Sequence, residues 1–340
     1  MAQPSTFFVT GATGFVGSKL VAELVRSDHA VRALVRRTSN GLGLEGERIT
    51  TVEGDVGDRG SLLCGMEGCS GVFHLAAYAR NWARDPRMFF EVNVEGTMNV
   101  LGAARSAGVE RVVLTSTMVT FGPTPPGTVG DERMPRITPR FYTEYEESKA
   151  VAEREALRMA SEGLPVVIVN PTRVYGPGKL TEGNSVTVMI DLYDRGRFPF
   201  LLAGGVNVGN YALVDDLVRG HILAMEKGRV GERYILGGEN ASLTRLFDLV
   251  DEATAKRHLR LGLPAWLAMA YGRLERTKAR WFRRYPLITP GWVETFLQDW
   301  AYSSAKAEQE LGYTVTPLKE GISLTCEWLR RRRTEQGAQA

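Results

Sequence analysis

The chain has 340 residues, 44% of them hydrophobic and 24% charged, with a formal net charge of +3. This composition is typical of a globular α/β protein, and a charge so close to zero argues against a nucleic-acid-binding surface. The three cysteines (Cys64, Cys69 and Cys326) show no metal-ligand spacing, and their odd number argues against a disulfide framework. We therefore expect a cytoplasmic protein without a metal ion.

No basic region followed by a long apolar run occurs at the N-terminus, so we expect no signal peptide. The most apolar late segment, 261–270, is too short to cross a bilayer and contains Pro264. Basic and aromatic residues follow it: Lys278, Arg280, Trp281, Phe282, Arg283 and Arg284. Three interpretations of 261–285 stay open, namely a lid, a subunit contact and an interfacial membrane helix.

Three glycines spaced three residues apart follow the first apolar run, Phe7–Val9. They are Gly11, Gly14 and Gly17, and apolar residues then recur at helical spacing as far as Val25. A strand, a glycine turn and a helix in this order form a corner at which backbone N–H groups bind phosphate. This pattern predicts a dinucleotide site.

The end of the second predicted strand, Ala30–Val35, indicates which dinucleotide binds. An acidic residue at this point binds the ribose hydroxyls of NAD and repels a 2′-phosphate. No Asp or Glu occurs from residue 30 to residue 43, whereas Arg36 and Arg37 follow the strand directly. Because arginine binds phosphate bidentately, the sequence favours NADP over NAD.

Alternating strands and helices continue along the chain. We predict strands at Ile49–Glu53, Gly71–His74, Arg111–Thr115 and Val166–Asn170, and a long helix over Met88–Ala107 that contains Asn93. Such alternation predicts a parallel sheet with both faces covered by helices. Ligands then bind beyond the carboxyl ends of the strands, where Asp55, Leu75–Ala77 and the hydroxyls of Thr115–Thr117 lie.

The sequence therefore predicts an α/β fold of the Rossmann type, a doubly wound parallel sheet with a smaller C-terminal substrate-binding lobe. The dinucleotide-binding domain spans 1–175, and Tyr211–Leu217 and Glu232–Leu236 return to it within 208–236. Segments 176–207 and 237–335 form the lobe. His74 has no evident partner and is interpreted as structural.

Tyr145 and Lys149 are four residues apart on a predicted helix and so lie on one face of it. A phenol transfers protons poorly at neutral pH, but a nearby ammonium group lowers its pKa. Lysine can also hold the ribose of a nicotinamide nucleotide. Tyr142 is seven residues from Lys149 and fits less well, so we predict that Tyr145 is the catalytic residue.

Several motifs together resemble those of the extended short-chain dehydrogenase/reductases. They are the glycine corner, His74–Ala77, Asn93–Thr97, the Tyr145/Lys149 pair, Val174–Pro177, Ser303–Lys306 and Glu310–Tyr313. The resemblance covers nearly the whole chain and implies that Tyr145 donates a proton while Lys149 assists it. It also implies that Thr117 orients the substrate carbonyl, and that the chain forms a homodimer through the helix after Asn93 and the helix bearing Tyr145.

The predicted cofactor site combines the glycine corner, the strand ends and the Tyr–Lys helix. Its residues are Gly11, Thr13, Gly14, Phe15, Val16, Gly17, Arg36, Arg37, Asp55, Val56, Leu75, Ala76, Ala77, Asn93, Thr115, Tyr145, Lys149, Pro171, Thr172 and Val174. The predicted substrate contacts are Tyr78, Asn81, Trp82, Arg173, Tyr175 and Tyr211.

Arg173 bears on the reaction, because sugar-nucleotide epimerases usually carry Asn at the matching position. The segment from Pro171 to Pro177 is more similar to dihydroflavonol 4-reductases, and Arg36 matches their NADP-selecting arginine. The resemblance thus implies NADPH-dependent reduction of a ketone or aldehyde on a small substrate, apolar or ring-containing. Two alternatives are a sugar or nucleotide-sugar epimerase and a cofactor-sensing regulator without catalysis, although such regulators often lose the Tyr–Lys pair.

Overall fold

A computed structural model describes residues 5–38, 44–282, 285–286 and 288–338. Its strands are β1 (Thr6–Thr10), β2 (Ala30–Val35), β3 (Ile49–Glu53), β4 (Gly71–His74), β5 (Arg111–Thr115), β6 (Val166–Pro171), β7 (Arg173–Tyr175), β8 (Phe200–Leu202), β9 (Val208–Leu213), β10 (Arg233–Leu236), β11 (Glu239–Ser242) and β12 (Leu261–Leu263). The predicted bounds of β2, β3, β4 and β5 are confirmed.

The helices are α1 (Phe15–Arg26), α2 (Arg59–Met66), α3 (Arg87–Phe90), α4 (Gly96–Ala107), α5 (Glu144–Ser161), α6 (Ser185–Asp194), α7 (Val214–Lys227), α8 (Leu243–Thr254), α9 (Ala265–Phe282), α10 (Pro290–Phe296), α11 (Ala305–Leu311) and α12 (Leu318–Ala338). A π-helical turn over Glu91–Glu95 joins α3 to α4, so the predicted long helix is helical throughout but not uniformly α.

Seven strands form one parallel sheet in the order β10-β6-β5-β4-β1-β2-β3. The strand order reverses between β1 and β4, and ligands of doubly wound sheets bind at this crevice. Apolar clusters cover both faces of the sheet, one containing Phe7 and Phe73 and the other Phe8 and Val72. The prediction of a Rossmann-type sheet is confirmed.

The smaller sheets lie outside this unit. Strands β11, β9 and β7 form a three-stranded sheet, and β12 pairs with β8. The predicted return of Tyr211–Leu217 to the region of the main sheet holds only for its second half. The strand ends at Leu213 and lies in the three-stranded sheet, whereas Leu217 of α7 packs in the core cluster of the main sheet. Only Arg233–Leu236 joins the main sheet, beside β6. None of the helices in the described ranges is long and apolar enough to cross a membrane.

The C-terminal segment returns to the first domain after the lobe. Ala307, Leu311 and Tyr313 belong to the core cluster of the main sheet, although the division drawn from the sequence placed them in the lobe. The Tyr313 hydroxyl donates a hydrogen bond to the Gly237 carbonyl, 2.8 Å away. Helix α12 instead packs in the lobe core against α8 and α6.

Candidate active site

The glycine corner is closed by contacts too tight for any side chain. Gly11 has a φ of +71°, and a Cβ there would lie 2.7 Å from the Ala76 nitrogen. A Cβ on Gly17 would lie 2.1 Å from the Gly11 carbonyl oxygen. The end of β1, the start of α1 and the chain after β4 therefore approach one another at their backbones.

Helix α1 begins at this corner with Gly14 as its N-cap and without a side chain that caps it. Its first turn carries no acidic residue, so its first N–H groups and the positive end of its dipole stay available for an anion. Thr13, Phe15 and Val16 line a cavity of about 880 Å³ that begins here. These features fit the pyrophosphate of a dinucleotide.

The two arginines after β2 have different surroundings. Arg36 lines the large cavity, and it makes no hydrogen bond or ion pair with any residue that the structure describes. Arg37 is exposed and pairs with Glu53 at 2.8 Å, so it is not on the cavity wall. Asp55 lines the cavity and accepts a hydrogen bond from the Gly57 nitrogen at 2.9 Å.

The predicted catalytic residues Thr117, Tyr145 and Lys149 meet at the other end of the same cavity. Thr117 and Tyr145 both line this end, where the Thr117 hydroxyl is close enough to act on the pKa of Tyr145. Lys149 is buried, and its Nζ donates to the Thr115 carbonyl oxygen at 2.7 Å. Helix α5, with Thr143 as its N-cap, thus faces the carboxyl end of β5 with its reactive side chains.

The expectation that Lys149 lowers the pKa of Tyr145 is wrong for this arrangement. Burial raises the pKa of Tyr145 to about 12, although the hydrogen bond from Thr117 acts in the opposite direction. Burial also lowers the pKa of Lys149 to about 8, against the attraction of Glu153. The phenol is therefore protonated at neutral pH, as a proton donor must be.

Ser116 points away from Thr117, as neighbouring residues of an extended chain do. Its hydroxyl donates to Glu153, which is buried and also accepts from Asn170 at 2.8 Å. Arg233 pairs with the same carboxylate at 3.2 Å. This network joins β5, β6, β10 and α5 behind the predicted catalytic residues and fixes the spacing of these elements.

Asn93 is buried in the π-helical turn and does not line the cavity. Its amide donates to the Ser148 hydroxyl at 2.9 Å, and its Oδ1 accepts from the Tyr78 nitrogen at 2.7 Å. Asn93 therefore holds α5 and the chain after β4 together, which is a positioning role. The extra residue of a π-turn changes the direction of the side chains around it.

His74 lies fully inside the protein between the hydroxyls of Thr10 (2.7 Å) and Thr97 (3.0 Å). Burial lowers its pKa to about 3, so it is neutral and links β4 to β1 and α4. This placement agrees with a structural interpretation of His74.

The substrate end of the cavity has an aromatic and cationic wall. The Arg173 guanidinium lies 4.4 Å above the centre of the Phe296 ring, and Phe296 stacks on Trp292 with ring centres 4.1 Å apart. Tyr78, Asn81 and Arg173 line the cavity as predicted from the sequence, together with Trp292 and Phe296. The wall suits an apolar ring that carries a polar or anionic substituent.

Three predicted substrate contacts lie elsewhere. Tyr175 and Tyr211 are buried in the lobe core, because β7 and β9 are covered by the lobe's helices. Tyr211 pairs in register with Arg173, and the Arg173 guanidinium lies 5.8 Å from the centre of the Tyr211 ring. Tyr211 therefore packs against a residue of the cavity wall without lining the cavity itself. Trp82 lines a neighbouring cavity of about 170 Å³.

The sequence did not indicate the contribution of α10. Besides its two aromatic residues, Thr295 lines the cavity and donates to the buried carboxylate of Glu146 at 3.2 Å. Glu146 lies in the first turn of α5 and also accepts from the Tyr142 nitrogen at 3.0 Å. The spacing of Trp292 and Phe296, four residues apart, could have indicated that they share one face of a helix. The sequence around them does not relate that face to the cavity, because most residues of the cavity wall come more than 100 positions earlier.

Most predicted site residues do line the large cavity. Those on its wall are Gly11, Thr13, Gly14, Phe15, Val16, Gly17, Arg36, Asp55, Val56, Leu75, Ala76, Ala77, Tyr78, Asn81, Thr115, Thr117, Tyr145, Lys149, Pro171, Thr172, Arg173 and Val174. Arg37, Asn93, Trp82, Tyr175 and Tyr211 are not among them. In the late basic segment, Arg283 and Arg284 lie outside the described residues.

The sheet order, the glycine corner and the long cavity that begins there define a dinucleotide-dependent enzyme with a Rossmann-type fold. The model of the NAD dependent epimerase/dehydratase family matches residues 7–237. The chain belongs to this family and is an NAD(P)-dependent enzyme of the extended short-chain dehydrogenase/reductase class.

Individual proteins resemble the chain over nearly its whole length. A Synechocystis protein named "Putative dihydroflavonol 4-reductase" is 34% identical over 97% of this chain and 96% of its own. Sterol demethylase protein B of Methylococcus capsulatus is 32% identical over 96% of this chain and 99% of its own. The crystal structure of gox2253 superposes with a TM-score of 0.81 at 33% identity, covering 96% of this chain and 98% of that one.

Proposed function

We propose that the protein is an NADPH-dependent reductase of a ketone or aldehyde on an apolar, ring-containing substrate. The observation that carries this proposal is the convergence of Thr117, Tyr145 and Lys149 on the cavity that begins at the glycine corner. Bound NADPH supplies the hydride that reaches the carbonyl carbon. The protein's own residues bind the cofactor, orient the carbonyl and donate the proton.

NADP rather than NAD is favoured by Arg36, which lines the cavity and has no ion-pair partner among the residues that the structure describes. Its guanidinium is available to a 2′-phosphate, whereas Arg37 is already paired with Glu53. The glycine corner and the uncapped start of α1 fit the pyrophosphate. Lys149 lines the same cavity, and in this proposal its ammonium group also binds the nicotinamide ribose.

Proton transfer is assigned to Tyr145. Burial raises the pKa of its phenol to about 12, so the phenol is protonated at neutral pH, and Thr117 lines the same part of the cavity. A substrate carbonyl oxygen between the two hydroxyls accepts a hydrogen bond from each, and these bonds stabilise the negative charge that develops on the oxygen. The proton passes from the Tyr145 oxygen to the alkoxide, and the phenolate then regains a proton from solvent.

The substrate class follows from the wall built by Arg173, Trp292 and Phe296. Two aromatic rings and a guanidinium provide stacking and charge for a fused or aromatic ring system. The relative from Methylococcus capsulatus is named for a sterol, which is a fused-ring lipid, and the Synechocystis relative for a flavonol derivative. Both names agree with an apolar ring substrate. A homodimer through α4 and α5 stays a prediction.

The test is a panel of ring-containing and open-chain ketones and aldehydes, followed by NADPH absorbance beside NADH. We expect NADPH oxidation matched by alcohol formation. Tyr145→Phe should lower kcat by about 10² to 10⁴ while NADPH still binds, because only the proton donor is lost. Tyr142→Phe, which alters a tyrosine of the neighbouring small cavity, is the control and should keep activity.

Two results would contradict the proposal. Isomerisation of a sugar or nucleotide sugar without net NADPH consumption would assign the chain to epimerases. NADPH binding without turnover of any carbonyl, unchanged in Tyr145→Phe, would indicate a cofactor-sensing protein.

A further inference from the structure

Helix α9 exposes an apolar stripe to solvent. Leu267, Leu274 and Trp281 recur at seven-residue spacing, and Trp266 lies beside them; Trp266 is 71% exposed and Trp281 79%. The stripe faces away from the protein, since Ala268, Gly272 and Ala279 form the buried side of the same helix. An outward apolar stripe on a surface helix indicates a partner.

Charge on α9 is arranged around this stripe. Arg273 and Lys278 are exposed and lie on opposite sides of it by helical position. Glu275 is the only acidic residue in the helix sequence; it lies on the inward side with its side chain 14% exposed and is paired with Lys278. The outward side is therefore apolar, rich in tryptophan and positively charged at its margins.

These properties match the surface of an anionic bilayer. Tryptophan favours the boundary between acyl chains and headgroups, and basic residues beside an apolar stripe attract anionic lipids. The apolar surface extends next to the helix, because Phe200 and Leu261 pair in register on β8 and β12 and are both exposed. Leu202, Ala268 and Val293 join β8, α9 and α10 in one small core.

The stripe lies one helix away from the substrate end of the large cavity. The inward side of α9 packs on α10 so closely that a Cβ on Gly272 would lie 3.2 Å from the Pro290 nitrogen. Trp292 and Phe296 of α10 form the cavity wall. Arg276 of α9 lines the neighbouring small cavity, which shares Asn81 with the large one.

We infer that the outer face of α9 docks the protein on a membrane surface that contains anionic lipid, with the substrate end of the cavity beside the bilayer. The helix lies in the interface and does not cross the membrane. If the proposed function holds, the substrate is then an amphiphilic carbonyl lipid that the protein takes from the bilayer. The docking itself requires no turnover.

The test is flotation of the full-length protein with vesicles of phosphatidylcholine alone or mixed with phosphatidylglycerol. We expect the wild type to float with the mixed vesicles, less with phosphatidylcholine alone, and less at high salt. Leu274→Glu should weaken flotation by at least about tenfold, because an apolar side chain within the stripe becomes charged. Leu324→Glu, at a similarly exposed leucine of α12, is the matched control and should float like the wild type.

Folding of both variants is checked by circular dichroism and thermal unfolding, and neither change should alter them since both side chains are exposed. Failure of the wild type to float with anionic vesicles would overturn the inference, as would wild-type flotation of Leu274→Glu. A concentration-dependent dimer that Leu274→Glu abolishes, without vesicle binding, would instead assign the face to a second copy. Flotation without carbonyl reduction would refute the proposed function and leave the docking surface standing.

Discussion

The two ends of the large cavity are built in different ways. At the glycine corner the wall is backbone: Gly11, Gly17 and the chain at Ala76 approach within distances that exclude a Cβ. At the substrate end the wall is made of side chains, with Arg173 above Phe296 and Phe296 stacked on Trp292. The first end comes from β1, α1 and the chain after β4, where β1 and β4 are neighbours in one sheet, whereas the second end joins β7 to the distant α10.

This difference separates cofactor binding, which many enzymes share, from substrate selectivity, which differs between them. A backbone-defined corner accepts a cofactor common to many enzymes and tolerates little change. A wall of side chains can exchange its rings and charges without disturbing the sheet, so selectivity for a substrate resides there.

The largest effect is expected from Gly17→Ala, which tests whether the cofactor end depends on close backbone contacts. Its Cβ would lie 2.1 Å from the Gly11 carbonyl oxygen, so the corner must open. We expect NADPH affinity, measured by fluorescence titration, to fall by at least about a hundredfold, because displacement of about 1 Å at a binding corner has large effects. Gly102→Ala in α4 is the control, since its Cβ would meet only the flexible end of Arg59 at 3.4 Å. Equal affinities of the two variants would refute the backbone argument.

A smaller effect is expected where the cofactor end does use a side chain. Arg36→Ser should raise KM for NADPH by about ten- to a hundredfold, the usual worth of a charge-assisted hydrogen bond, and leave KM for NADH nearly unchanged. Arg37→Ser is the matched control, because Arg37 is exposed and paired with Glu53. A loss of NADPH preference in Arg37→Ser rather than Arg36→Ser would reverse the assignment.

The smallest effect should come from Phe296→Leu at the substrate end. Loss of stacking should raise KM for ring-containing carbonyls by about two- to tenfold, with KM for NADPH and for open-chain carbonyls unchanged. Phe198→Leu alters a partly buried phenylalanine that is not on the cavity wall and should change none of these values. A parallel rise in KM for NADPH would mean that the two ends are not independent.

The sequence predicted the cofactor half closely because its information is local. Gly11, Gly14 and Gly17 lie within seven residues, and four strands have their predicted bounds. Three of these, β2, β4 and β5, are short and mostly apolar runs between turns. The Tyr145/Lys149 spacing is likewise a local helical relation. The direction of the Tyr145 pKa was not predictable, since it depends on burial by residues distant in the sequence.

The substrate half was less predictable because its residues are distant from one another in the sequence. Tyr175 belongs to the Val174–Pro177 motif and Tyr211 was predicted as a substrate contact, yet both are buried in the lobe core. Trp292 and Phe296 carry no motif, and only the fold brings α10 to β7. The sequence did not indicate that Tyr211–Leu217 divides between a strand of the lobe and a helix: Asp215 and Asp216 belong to the first turn of α7, where acidic residues suit the helix dipole.

The return of the chain at α11 has a consequence for how the protein is made. Ala307, Leu311 and Tyr313 fill the core beneath β10, so this core stays open on the ribosome until the last tenth of the chain emerges. A fragment ending after β10 therefore exposes apolar surface and should aggregate rather than persist as a separate nucleotide-binding module.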